Sequence, residues 1–166
     1  NGAVAHLSNG LQEAARTSST APLAIAVDQE GGIVARITSP ATEFPGNMAL
    51  GAVYDPRAAR AHRAVLGREL AALGINVDFA PDVDVNTNPA NPVIGVRSMG
   101  DDPVRVGVLG VEQIRGIQSR GVAATAKHFP GHGDTQVAAL LGLSVIHISE
   151  TTRTSLRGYA VVCLIN

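Results

Sequence analysis

The segment Lys127-His128-Phe129-Pro130-Gly131-His132-Gly133-Asp134-Thr135 gathers an ammonium, two imidazoles, a carboxylate and several turn-forming residues in one stretch. Lys127 is the sole lysine among 13 basic residues, the rest being arginine. An ammonium is a compact, strongly hydrated charge with three rotatable donors, which suits a small polar ligand in a way a planar guanidinium does not. The other reading of Lys127 is an ordinary surface lysine at a strand end. His128 is either a ligand-binding donor or a half-buried core histidine, and its setting beside Lys127 and a glycine-rich loop favours the first. His128 and His132 with Asp134 have a spacing that suits a metal on a helix, but Pro130 and Gly131 break any helix here. No metal and no cofactor is expected.

Two further segments carry candidates. In Asp28-Gln29-Glu30-Gly31-Gly32, reaching Arg36, an aspartate at a strand end can accept hydrogen bonds from vicinal sugar hydroxyls. The paired glycines let the backbone turn close to a ligand. In Asn91-Pro92-Val93-Ile94-Gly95-Val96-Arg97-Ser98, Arg97 offers a planar fork to a polar substrate or is a surface residue paired with Asp101. Both readings stay open. His6 and His62 read as partly exposed residues without a role.

The elements that must position these residues follow a repeating grammar. Asp55-Pro56 and Asp102-Pro103 each pair an N-cap acceptor with a first-turn proline. One helix then shows apolar residues at Ala58, Ala61, Val65, Leu66, Ala72 and Leu73 before Gly74. The other shows Val104, Val108, Val111, Ile114 and Ile117 before Gly121. A weaker helix spans Gly2 to Arg16. Continuous apolar runs near 23–28, 75–80 and 122–127 read as parallel strands covered on both faces. Asp28, Asp82, Asp84, Lys127 and His128 fall at their carboxyl ends, the edge where parallel α/β folds bind ligands. The long connections Gly31 to Tyr54 and Pro81 to Asp101 are of the kind that carries function.

Composition narrows the classes. The chain has 166 residues, 16% of them charged, with a formal net charge of −1. The near-zero balance removes the electrostatic footprint of a nucleic-acid binder, so no nucleic-acid partner is expected. No apolar run approaches the roughly 20 residues of a membrane span. The lone Cys163 excludes an internal disulfide framework. The first residues show neither an initiator Met nor a leader pattern, so they read as a chain entered mid-gene or after processing, and no compartment is encoded. A complete (β/α)8 barrel usually needs about 250 residues, more than are here.

Asp-Gln-Glu-Gly-Gly, then Phe79-Ala80-Pro81-Asp82-Val83-Asp84-Val85, then Gly95-Val96-Arg97-Ser98 with Asp102-Pro103, then Lys-His-Phe-Pro-Gly-His-Gly-Asp-Thr occur in order and spacing that resemble the N-terminal catalytic domain of family 3 glycoside hydrolases. The Phe-Pro-Gly-His-Gly version is similar to the β-N-acetylhexosaminidase branch. The resemblance covers roughly residues 1 to 142. It implies an α/β fold, the N-terminal half of a (β/α)8 TIM barrel. It also implies a retaining hydrolase that removes terminal β-linked N-acetylglucosamine from glycans or peptidoglycan fragments, with a small carbohydrate as partner. By motif, Asp28, Arg36, Arg97, Lys127 and His128 correspond to the sugar-binding set, while His132 and Asp134 shape the loop.

The departures are as specific. In that branch the acid/base is a histidine paired with an aspartate in an Asp-Ser-His just past the Gly-Asp-Thr. Here those positions are Ala138, Ala139 and Leu140, none able to move a proton. The nucleophile of the family lies on a later strand that this sequence does not reach. The resemblance therefore implies a piece inactive as given, or alternatively a non-catalytic N-acetylglucosamine-binding protein. From Leu143 onward the βα grammar stops, and residues 143–166 resemble a translated sequencing adapter, a non-native tail behind a truncated domain at 1–142.

Overall fold

The computed structural model describes residues 1–18 and 21–135, and the backbone of a short strand at 161–163. The expectations for Ala138, Ala139 and Leu140 and for most of the 143–166 tail lie outside the described residues.

Helix α1 (Gly2–Arg16) leads into strand β1 (Ala24–Val27), then a small antiparallel hairpin, β2 (Gln29–Gly31) with β3 (Val34–Ala35). Helices α2 (Asn47–Val53) and α3 (Pro56–Ala72) precede β4 (Val77–Asp78). After a 3-10 turn at Gly95–Arg97, α4 (Pro103–Gln118) precedes β5 (Ala123–Ala124), and β6 (Val161–Cys163) completes the described elements. The main sheet has the order β5-β4-β1-β6 with every pairing parallel. Strand, helix and adjacent parallel strand alternate, as in the first part of a barrel. No helix among the described residues is long and apolar enough to cross a membrane.

Both helix starts form as their sequences dictate. The Asp55 carboxylate accepts from Arg57 N–H at 2.8 Å, and the Asp102 carboxylate accepts from Val104 N–H at 2.8 Å. Gly74 and Gly121 end their helices at φ +77° and +76°, the left-handed region that favours glycine. The strands are shorter than the apolar runs suggested. The parallel ladder still reaches beyond them, through Phe79 N–H to the Val27 carbonyl at 2.8 Å and Val83 N–H to the Lys127 carbonyl at 2.8 Å. Where β1 begins, the Asn76 side chain stands in for a strand, accepting from Ile25 N–H and donating to the Leu23 carbonyl, each at 2.7 Å.

The buried helix faces differ from the expected stripes. On α3 the buried residues are Ala59, His62, Arg63, Leu66, Gly67 and Leu70, whereas Ala61 and Ala72 are exposed. On α4 they are Val106, Leu109, Gly110, Gln113, Gly116 and Ile117, whereas Val104, Val108 and Val111 face outward. The reason is close approach. A Cβ on Gly116 would meet the Arg60 carbonyl, and one on Gly67 would lie 3.1 Å from the Ile117 carbonyl. Helices that touch through glycines turn those small residues inward, so of the expected stripes Leu66 and Ile117 are buried while Ala61, Ala72, Val104, Val108 and Val111 are not.

The main apolar core is built from Ile25, Val27, Ile37, Leu70, Ile75, Ile117 and Val122, with Val4 and Leu11 of α1 packed on it. Each fully buried aliphatic side chain stabilises the fold by about 1.5–3 kcal/mol. Ile75 and Val122 stand just before β4 and β5, so this part of the cluster lies at the amino-terminal end of the sheet. His62 is also buried, at 7% exposure, with the ring of Phe44 edge-on at 4.4 Å. The expectation of partial exposure is thus corrected for His62, while His6 is exposed.

Candidate active site

The carboxyl ends of β1, β4 and β5 collect the charged residues. Lys127 stands past β5, bridged in parallel to Asp82, and its Nζ donates to Asp28 Oδ1 at 2.5 Å and lies 2.6 Å from Glu30 Oε1. Arg97, delivered by the 3-10 turn, forks onto the same glutamate, Nε to Oε2 at 2.9 Å and Nη2 to Oε1 at 2.8 Å. A bidentate pair of this kind fixes orientation as well as charge. Glu30, on β2, is 2% exposed and is the hub that Lys127 and Arg97 share. Burial raises its carboxyl pKa, but the Arg97 fork and the Lys127 ammonium outweigh that and hold it below the ordinary value.

His128 sits on a second acid. Its Nδ1 lies 2.5 Å from Asp84 Oδ2, and its Nε2 lies 3.3 Å from Arg97 Nη2. A carboxylate accepts and a guanidinium donates, so the network selects the tautomer with hydrogen on Nδ1 and a lone pair on Nε2. Asp84 also accepts the His132 backbone N–H at 2.6 Å. Burial raises Asp84, but the hydrogen bond from His128 and that backbone N–H prevail and lower it. Asp82 is fully buried, and burial, with repulsion from Asp84 and Glu30, raises its pKa to about 7. Its Oδ2 lies 3.3 Å from Arg97 Nη2 without hydrogen-bond alignment.

Below these groups lies a cation the sequence reading missed. Arg63 of α3 has no exposed surface, and its Nε donates to Gln113 Oε1 at 2.6 Å while Nη1 donates to the Gln29 carbonyl at 2.9 Å. It faces Asp78, whose pKa is raised to about 7 by burial despite the attraction of Arg63. Burial also lowers Arg63. An arginine in a helix of mixed pattern gives no signal of burial. The signals for Glu30, Asp82 and Asp84 were present, as acids at strand ends, but nothing in their spacing singled them out.

Of the sequence-expected residues, Asp28, Arg97, Lys127 and His128 come together. Arg97 pairs with Glu30, which closes the reading of a surface pair with Asp101. Arg36 does not join them: it is exposed after β3, and among the described residues only its backbone N–H is bonded, to Gln29 Oε1. His132 is buried in its loop, its carbonyl accepting from Asn91 Nδ2 at 2.7 Å and its Nδ1 meeting the Thr135 hydroxyl. Asp134 is exposed on the wall of a cavity of about 540 Å³, which Asp84, Lys127, His128 and Phe129 also line.

For a metal, the residues that approach one another are Asp82, Asp84 and His128, each offering a ligand atom within 4.8 Å of the others. His128 and His132 have ring centroids 6.0 Å apart. The positive charge among the first three is already supplied by Arg97, whose Nη2 is 3.3 Å from both Asp82 Oδ2 and His128 Nε2. Among the described residues this donor set therefore already holds a guanidinium where a metal ion would sit.

The sequence profile of the Glycosyl hydrolase family 3 N terminal domain matches residues 3–160. The chain is 52% identical over 142 residues to beta-hexosaminidase A of Pseudoalteromonas piscicida, covering 82% of this chain and 24% of that protein. It is 42% identical over 118 residues to a beta-N-acetylglucosaminidase/beta-glucosidase of Cellulomonas fimi, covering 71% of this chain and 21% of that one. Among solved structures, a glycoside hydrolase family 3 beta-N-acetylglucosaminidase from Paenibacillus sp. str. FPU-7 superposes with a TM-score of 0.79 at 55% identity, covering 81% of this chain and 26% of that chain. The chain thus spans about a quarter of the length of these three relatives. With the strand order, the charged carboxyl edge and the profile in agreement, the chain belongs to glycosyl hydrolase family 3, within its N-terminal domain.

Proposed function

We propose that this chain carries the sugar-binding part of a retaining β-N-acetylhexosaminidase acting on terminal β-linked N-acetylglucosamine of glycans or peptidoglycan fragments, and that as given it binds the sugar without hydrolysing it. The observation that carries the reading is the convergence of Asp28, Arg97, Lys127 and His128 through Glu30 and Asp84 at the strand carboxyl ends. Asp28 is one-third exposed and can accept from ring hydroxyls, and Lys127 keeps one ammonium hydrogen for the ligand. Fixed donors and acceptors of this kind hold a sugar in the geometry its reaction requires. The names of the relatives, a beta-hexosaminidase and a beta-N-acetylglucosaminidase, support the substrate class. Inactivity rests on Ala138, Ala139 and Leu140, side chains without a transferable proton where the branch has its acid/base pair.

The same three residues favour the second reading, a non-catalytic N-acetylglucosamine-binding protein. Both readings expect the chain to bind N-acetylglucosamine in a calorimetric titration and to lose that binding on Lys127→Ala. Turnover of a chromogenic N-acetylglucosaminide, abolished by Asp28→Ala, overturns inactivity and the second reading together. Absence of binding overturns both.

A further inference from the structure

The cations of the site are almost fully committed to the protein's own acceptors. Lys127 spends two of its three N–H groups on Asp28 and Glu30. Arg97 spends Nε and Nη2 on Glu30 and His128, and one Nη1 hydrogen on the Val93 carbonyl at 3.1 Å. Against these two cations stand Asp28, Glu30, Asp82 and Asp84, with Asp134 on the cavity wall. Even with Asp82 protonated, Asp28, Glu30 and Asp84 outnumber the two cations they surround. Arg63 adds one positive charge underneath, which Asp78, raised to about 7, offsets only in part, and with Asp134 counted the acids still outnumber the cations. On the acceptor side, Asp28 Oδ2 has no hydrogen-bond partner among the described residues and the residue is one-third exposed, while on the donor side only one Lys127 N–H and one Arg97 Nη1 hydrogen remain. A ligand that donates hydrogen bonds finds partners here, whereas an anion meets carboxylates whose counter-charges are already engaged.

We propose that this site selects its sugar by charge, accepting an uncharged or ammonium-bearing sugar unit and turning away one that carries a phosphate or carboxylate. The proposal rests on the sugar-binding reading above and adds the sign of the field that the ligand meets. Glu30, Asp82 and Asp84 are buried, so bulk salt screens their part of that field less than it would screen surface charges.

The test is a calorimetric titration of the unaltered chain with three sugars that differ only at C6: N-acetylglucosamine, its 6-amino-6-deoxy analogue and its 6-phosphate. The expected order is the ammonium form at least as tight as the parent, and the phosphate about tenfold or more weaker. A phosphate that binds as tightly as the parent overturns the proposal and leaves the sugar-binding reading standing. An ammonium form weakened as much as the phosphate also overturns it, because the site would then be rejecting bulk at C6 and not charge. If none of the three binds, the sugar-binding reading fails and the proposal falls with it.

Discussion

The two ends of the same sheet are built on opposite physical terms. At the amino-terminal end, Ile25, Leu70, Ile75, Ile117 and Val122 are at most 1% exposed and pack into one apolar cluster. At the carboxyl end, Glu30, Asp78, Asp82 and Asp84 are also buried, but burial raises all four and only at Glu30 and Asp84 do named partners prevail and hold the carboxyl low. Apolar contacts are graded: removing a methylene loses roughly what that methylene gave. A buried ion is not graded, because deleting its partner leaves an uncompensated charge in a dry place. The fold can drift at one end and must be held at the other.

The hardest break of this contrast is Arg63→Met, which keeps the length and burial of the side chain but deletes its charge. Gln113 Oε1 and the Gln29 carbonyl lose their donors, and Asp78 loses its nearest opposite charge. The expected loss is about 3–5 kcal/mol in a urea unfolding series. Arg63→Met with Asp78→Asn should recover part of it, since the double variant leaves no bare ion. A single-variant loss below about 1 kcal/mol would mean that the polar floor of the site is not what holds it.

The helix layer beneath both ends offers the next test. Gly116→Ala puts a methyl against the Arg60 carbonyl and 2.8 Å from Arg63 Cβ, whereas Gly107→Ala meets nothing within 4 Å. The first should cost about 1–3 kcal/mol through overpacking. The second should stabilise the chain by up to about 1 kcal/mol, because alanine is the better helix former. Thermal midpoints of the pair, measured side by side, check both signs. Equal effects would show that the α3–α4 contact is not set by its glycines.

This pair of glycines also explains what the sequence could and could not convey. Helix ends at Asp55, Gly74, Asp102 and Gly121 were legible, because capping and left-handed turns depend on residues adjacent in the chain. The parallel direction of the strands and the collection of charge at their carboxyl ends followed from the same rhythm. The buried helix faces were legible only at Leu66 and Ile117, since a glycine that permits contact is invisible to a pattern that counts bulky apolar residues. Within the site, Asp28, Arg97, Lys127 and His128 were recovered from motifs. Glu30 and Arg63, the partners that organise them, were not, because a pairing across 67 residues, as between Arg97 and Glu30, leaves no trace in local spacing. Arg36 was included by motif and stands apart in space.

The smallest effect concerns a buried group that belongs to neither set of terms. His62 is apolar in its surroundings and polar in its atoms: both ring nitrogens lack a partner among the described residues. Burial, with Arg63 beside it, lowers its pKa to about 3 from 6.5. Between those values the unfolded chain binds a proton that the folded chain does not, so His62 takes stability away as pH falls from about 6.5 toward 3. Asp78 and Asp82, raised to about 7, act in the opposite sense over a similar range, favouring the folded state as pH falls from about 7 toward 4. The whole-protein profile therefore mixes both signs, and the difference between the unaltered chain and His62→Phe isolates the histidine. That difference should grow in favour of the phenylalanine variant by about 1.4 kcal/mol for each pH unit below 6.5. A constant difference from pH 7 to pH 5 in urea unfolding would show that His62 takes up its proton inside the fold. The apolar layer around Phe44 would then be open to charge, and the division between the two ends of the sheet would be softer than their burial suggests.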